Sequence, residues 1–314
     1  MPKSDDHLYL IIGGTTKAAT TSLFAYLKEH PQVCGANIKE TRFFLDSDYP
    51  LPSKYRLEDG LAKYEEFFCE CQDTRVRLEA TPDYLYSSVT PKSLQDSLPA
   101  VKLVFILREP TSRIISWYTF AQQIGQLSQD ITLDEYVNQQ LQNDSPKTKQ
   151  HLRALEQGRY YTYLRPYLEV FGKENIHIIL YEDLSKDPAS VLDALCKFVG
   201  IDSKFYTGYD FKVFNSTQAM KNPGLHQMYT RVRFKMRNFV HNQAGIRTAL
   251  RTMRAAFEPL YLRLNAQPLE KPEFSPAVKA MLNDYYKQEN QALSELLGRP
   301  IPWQAASSRE TSPK

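Results

Sequence analysis

The segment Val101-Lys-Leu-Val-Phe-Ile-Leu107 restricts the fold more than any other part of the chain. It is almost continuously apolar, far short of the roughly 20 residues that span a bilayer, and lacks the alternation of a half-exposed strand. Such a run reads as a strand buried on both faces. Leu8–Ile12 and Ile176–Leu180 have the same character, and Val76–Leu78 is a shorter candidate that stops at Thr81-Pro82. Helical patterns separate them. One begins at Thr20 (Leu23, Phe24, Leu27) and stops before Pro31, and another starts at Pro110. Helical patterns then continue to Gly172, Asp187-Pro188 opens a helix ending near Gly200, and Leu225–Val240 and Pro276–Leu297 follow. Doubly buried strands alternating with helices predict an α/β fold, a three-layer α/β/α arrangement around a central parallel sheet.

Composition adds limits. A chain of 314 residues, 42% hydrophobic and 24% charged, can bury a large core without staples and is neither disordered nor fibrous. Residues 1–303 read as a single domain and 304–314 as a disordered tail. No apolar run is long enough for a transmembrane segment, and Met1–His7 is too polar and short for a signal peptide. Cys34, Cys69, Cys71 and Cys196 fit no zinc spacing; we read them as reduced thiols of a cytoplasmic protein. The net charge of +3 hides an asymmetry, because Lys221–Arg263 holds nine Lys or Arg against one acid, Glu258. This basic stretch suggests an anionic partner: an anionic acceptor, a nucleotide phosphate or a membrane surface touched peripherally. Nucleic acid is not implied, since the whole-chain balance is too mild.

Ligands of parallel sheets sit beyond the carboxyl ends of the strands. After the first strand comes Gly13-Gly14-Thr15-Thr16-Lys17-Ala18-Ala19-Thr20-Thr21-Ser22. Small residues, a lysine and hydroxyls opening a helix can wrap an anion, although Thr20 or Thr21 could equally serve as a simple helix cap. The segment is not a Walker A loop, for it lacks the required Gly-Lys pair. After Leu107 comes Arg108-Glu109-Pro110-Thr111-Ser112-Arg113-Ile114-Ile115-Ser116. Where a kinase-type enzyme places a magnesium-binding acid, this strand ends in arginine. Arg108 and Ser116, two helical turns on, predict a phosphate held without a metal. Arg113 reads equally as part of that site or as a solvated helix charge.

These residues carry a resemblance. The chain resembles sulfotransferases that use 3′-phosphoadenosine-5′-phosphosulfate, in the branch of carbohydrate and heparan-sulfate-like enzymes and their bacterial relatives. Lys17–Leu23 is similar to the family's 5′-phosphosulfate loop, K-x-G-T-T-S-L, and Arg108–Ser116 to its 3′-phosphate motif, R-x-P-x-x-R-x-x-S. His30-Pro31, Lys39-Glu40-Thr41-Arg42-Phe43-Phe44, Glu79–Tyr84, Tyr181–Leu184, Tyr285-Tyr286, Asn290 and Gly298…Trp303 also have counterparts, and Asn215–Thr217 resembles a loop near the nucleotide. Two departures stand out: Ala19 replaces the usual loop glycine, and Ala80 replaces the lysine of E-K-[ST]-P.

The resemblance implies a P-loop-like sulfotransferase fold and a nucleotide donor bound by Lys17, Ala18, Ala19, Thr20, Thr21, Ser22, Arg108 and Ser116. The product is adenosine 3′,5′-bisphosphate, and no metal is required. The acceptor is a hydroxylated saccharide, lipid or other small molecule, less readily an amine. Lys17 is the expected partner of the leaving phosphate oxygen and Glu40 the expected base, its pKa raised beside an anionic donor. Glu79, Asp83 and Tyr84 are weaker candidates near the acceptor, and His30 sets a turn. A small-molecule phosphotransferase and a non-catalytic nucleotide-binding module are the competing readings.

Overall fold

The computed structural model describes residues 7–71, 74–142, 153–212, 219–220, 266–267 and 272–303. The basic stretch 221–263, the predicted helix 225–240, Asn215–Thr217 and the tail 304–314 fall outside the described residues. Five parallel strands form the main sheet in the order β2 (Val33–Gly35), β3 (Val76–Ala80), β1 (Leu8–Gly14), β4 (Val101–Leu107) and β5 (Ile176–Leu180). The expected three-layer architecture is present. No residue pattern marks β2, because three residues are too few to show a period.

The sheet is covered on both faces, which is why its strands are uniformly apolar. Side chains alternate along β1: Tyr9 and Ile11 enter one core with Leu103, Phe105, Leu164 and Tyr167, while Leu10 and Ile12 enter the other with Val104, Ile106, Leu23 and Leu192. Helices α1 (Thr20–Lys28) and α8 (Pro188–Val199) cover the second face. On the first lie α2 (Leu61–Glu65), α3 (Thr90–Ser97) and α6 (Tyr160–Phe171). A third cluster joins α4 (Pro110–Gln123), α5 (Leu133–Gln142) and α9 (Pro276–Leu297). The short helix α7 (Tyr181–Lys186) follows β5 directly. Among the described residues no helix is long and apolar enough to cross a membrane.

Two expectations change here. Cys34 and Cys71 are joined in a disulfide, with Cα atoms 5.7 Å apart, while Cys69 and Cys196 are free. The edge strand β2 and the segment after Phe68 lie side by side, a proximity that spacing along the chain does not reveal. The step from four reduced thiols to a reducing compartment therefore loses its premise. Arg113, read as site residue or solvated charge, is fully buried; its guanidinium donates to Thr16 Oγ1 at 3.3 Å and the Ala154 carbonyl at 2.7 Å.

Glu79 braces the middle of the fold. Its carboxylate has no solvent exposure and accepts four hydroxyls: Thr41 (2.6 Å) and Thr81 (3.0 Å) on Oε2, Tyr64 (2.9 Å) and Tyr84 (3.0 Å) on Oε1. Burial pushes its pKa up and the four donors oppose that shift. The network ties β3 to the loop after β2 and to α2. Glu79→Gln places an amide N–H₂ against hydroxyls that now donate, so it should lower unfolding stability by about 1–3 kcal/mol in urea titrations. Unchanged stability would show that the carboxylate is not a brace.

Candidate active site

The carboxyl end of β1 is crowded. A Cβ on Gly14 would lie 2.7 Å from Leu85 Cβ, and one on Gly13 would lie 2.8 Å from Phe105 Cε1. Only bare backbone can leave the strand here, and the chain then turns through Lys17 (φ 66°) and Ala19 (φ 65°) into α1. Ala19 adopts the left-handed conformation that glycine enters freely, at a strain of about 1 kcal/mol or more for an L-residue. Ala19, not Thr20 or Thr21, is the cap residue, and it offers no side-chain cap; the first turn of α1 holds no acid. The amide groups that open α1 thus receive no side-chain cap from Ala19, and they stand at the positive end of the helix dipole. At α4 the opposite holds: Glu109 accepts the Thr111 and Ser112 amides at 3.1 and 2.6 Å, closing that terminus.

Side chains from several elements converge on the β1–α1 turn. Thr16 Oγ1 also accepts from Trp117 Nε1 at 3.1 Å, pinning the turn to α4 alongside Arg113, and the Thr15 and Tyr86 hydroxyls are hydrogen-bonded. Arg108 donates from Nη1 to the Lys17 carbonyl at 3.2 Å and lies over the Tyr181 ring. The structure therefore brings together the two segments that the sequence singles out for phosphate. Arg108 Nε is buried with no acceptor among the described residues. Lys17 Nζ sits 4.1 Å from the centre of the Phe120 ring. Burial, and then the nearby Arg108 charge, bring its pKa down to about 8. Ser116 is half-buried on α4, and Glu182 accepts the Glu109 amide at 2.9 Å, fixing the β4–α4 turn.

The loop after β2 delivers Glu40 to the same end of the sheet. Glu40 Oε2 pairs with Arg42 Nη2 at 2.7 Å and Oε1 with Lys39 Nζ at 3.4 Å. Burial, the largest single influence, raises its pKa, but Lys39 and Arg42 together outweigh it and hold the carboxyl below its usual range. The raised value expected for Glu40 concerns the carboxyl beside an anionic donor; by themselves, the two cations next to it in the chain set the opposite direction. Lys39 also donates to Thr20 Oγ1 at 3.3 Å and so links Glu40 to the first residue of α1.

The weaker acceptor candidates separate. Glu79 and Tyr84 are fully buried inside the hydroxyl network, where every carboxylate lone-pair site of Glu79 already has an internal donor. Asp83 is also buried and accepts from Tyr49 at 3.1 Å. His30 is buried and sets a turn, its Nδ1 accepting the Gln32 amide at 3.1 Å and its Nε2 2.8 Å from the Asp202 carbonyl.

Residues 9–244 match the sulfotransferase domain family. A bifunctional heparan sulfate N-deacetylase/N-sulfotransferase 1 of Mus musculus is 28% identical over 206 residues, which cover 62% of this chain and 22% of the relative. Its counterpart in Caenorhabditis briggsae is 29% identical over 205 residues, 61% of this chain and 22% of that one. The match thus spans under a quarter of these relatives' length. A sulfotransferase structure from Alicyclobacillus acidocaldarius shares the fold, with a TM-score of 0.62 and 20% identity, covering 93% of this chain and 96% of that one.

The strained alanine yields a direct test. Ala19→Gly removes the penalty at φ 65° and should raise thermal or urea stability by about 1 kcal/mol, where glycine ordinarily destabilises. A loss of stability would show that the alanine is not strained.

Proposed function

Because the chain belongs to the sulfotransferase domain family, we propose that it transfers a sulfuryl group from 3′-phosphoadenosine-5′-phosphosulfate to an acceptor hydroxyl. The acceptor class is a saccharide, lipid or other small molecule, and adenosine 3′,5′-bisphosphate is released. The observation that carries this reading is the uncapped N-terminus of α1 beside Lys17, with Arg108 hooked onto the Lys17 carbonyl. One anion site lies on the turn and a second cation stands at the end of β4, which suits a nucleoside bearing two separate phosphates. The buried Nε of Arg108, without an acceptor among the described residues, fits such a group. We assign the 5′ end to Lys17, Ala18, Ala19, Thr20, Thr21 and Ser22, and the 3′-phosphate to Arg108 and Ser116.

When bound, the nucleotide supplies a sulfuryl group whose bond to the phosphate oxygen breaks as the acceptor oxygen bonds to sulfur, the electron pair passing to that phosphate oxygen. Lys17 and the α1 amides face the charge that grows there. Glu40, ionised at neutral pH by its two cations, takes the acceptor's proton. The named activity of the curated relatives, N-sulfation, favours an amine acceptor as the second reading.

Calorimetry with EDTA present should show adenosine 3′,5′-bisphosphate binding more tightly than ATP, ADP or AMP; tighter binding of ATP would favour a phosphotransferase. The affinity should weaken as pH rises through about 8, since Lys17 loses its charge there, and Lys17→Ala should flatten that dependence. With radiolabelled donor and a panel of hydroxylated and amine acceptors, Glu40→Gln should lower kcat by about 10²–10⁴ while the bisphosphate still binds. Near-normal turnover by a folded Glu40→Gln enzyme would overturn the assignment of the base.

A further inference from the structure

Lys39 stands between the two halves of the proposed chemistry. Its backbone is fixed to the sheet, because the Ala80 amide donates to the Lys39 carbonyl at 2.9 Å. Its side chain, only 19% exposed, leaves the loop after β2 and reaches across to α1. There the ammonium is shared almost evenly, 3.3 Å from Thr20 Oγ1 and 3.4 Å from Glu40 Oε1. Arg42 grips the other Glu40 oxygen more closely, at 2.7 Å, and Asp83 adds a negative charge near Lys39. Both Lys39 contacts are long for charge-assisted hydrogen bonds, as expected for a group held between two partners.

We propose that Lys39 is a positioning residue that couples donor binding to the freedom of the Glu40 carboxylate. The inference rests on the reading of the α1 N-terminus as the donor's anion site. An anion at Thr20 competes with Glu40 for the same ammonium. As Lys39 turns toward the donor, Glu40 keeps Arg42 but loses one of two cations, and its affinity for a proton rises. Before the donor arrives, the base is held by both cations and is weak; afterwards it is better able to take the acceptor's proton. Linkage makes the effect reciprocal, so removing the Glu40 charge releases Lys39 to the donor and tightens donor binding.

The test is a double-mutant cycle on the affinity of the intact protein for 3′-phosphoadenosine-5′-phosphosulfate, measured by calorimetry without acceptor. Lys39→Met should weaken binding about tenfold, the loss of one charge-assisted contact. Glu40→Gln should tighten it about threefold in the wild-type background and leave it unchanged in the Lys39→Met background. Lys39→Arg keeps the charge and should keep the coupling. Equal tightening by Glu40→Gln in both backgrounds would mean simple repulsion between carboxylate and donor, and would overturn the role of Lys39. Loss of coupling in Lys39→Arg as well would tie it to shape and overturn it too. Should Lys39→Met fail to fold, Lys39→Gln closes the same cycle. Absence of donor binding by the unaltered protein overturns the donor reading itself; binding without coupling overturns only this inference.

Discussion

The crowding at the end of β1 governs what this protein can do. Phe105 and Leu85 press so closely on Gly13 and Gly14 that no side chain fits there. The chain must leave the central strand as bare backbone and re-enter a helix within five residues. It does so through two non-glycine residues at positive φ, a conformation that costs each about 1 kcal/mol or more. That strain persists because the surroundings fix the turn: Arg113 and Trp117 on Thr16, Arg108 on the Lys17 carbonyl, Tyr86 on Thr15. The product is a helix whose first amides have no side-chain cap.

The two helices that start beyond adjacent central strands show how little separates an open terminus from a closed one. At α4 the residue before the helix is Glu109, and its carboxylate satisfies the first amides internally. At α1 the equivalent residue is Ala19, which satisfies none. The two termini therefore have opposite chemistry, and their cap residues differ in backbone as well as in side chain, with φ 65° at Ala19 against φ −45° at Glu109. Arg108 connects the two, belonging to the β4–α4 turn while bonding to the β1–α1 turn.

Much of the fold was legible in the sequence because its strands are buried on both faces and so read as continuous apolar runs. β4, β5 and α9 have the bounds the pattern suggested. β2 was not legible: three residues carry no period, and its place at the sheet edge comes from pairing with β3. Lys17 and Arg108 were legible as candidates because topology puts both at carboxyl ends of neighbouring strands. Arg113 was ambiguous, since a helical arginine shows its burial only once α4 packs against the Thr16 turn. The bracing of Glu79 was illegible for a related reason, because its four hydroxyl donors come from residues up to 38 positions away. The Lys39 bridge to Thr20 was illegible, being a side-chain reach between two loops that only the sheet order brings together.

Electrostatics give the site its last property. Lys17 and Lys39 are both half-buried, and the loss of hydration makes both lysines hold their protons less tightly than in water. At the β1–α1 turn the neighbouring charge is Arg108, which adds repulsion to the loss of hydration, whereas around Lys39 the carboxylates of Glu40 and Asp83 offset it. On the proposed function, a nucleotide with one phosphate at the α1 turn and another at the end of β4 would relieve the repulsion between Lys17 and Arg108. Glu40 is the exception within this positive field. It is held by Lys39 and Arg42, so on the proposed function it is the charge that an anion at the α1 turn would disturb.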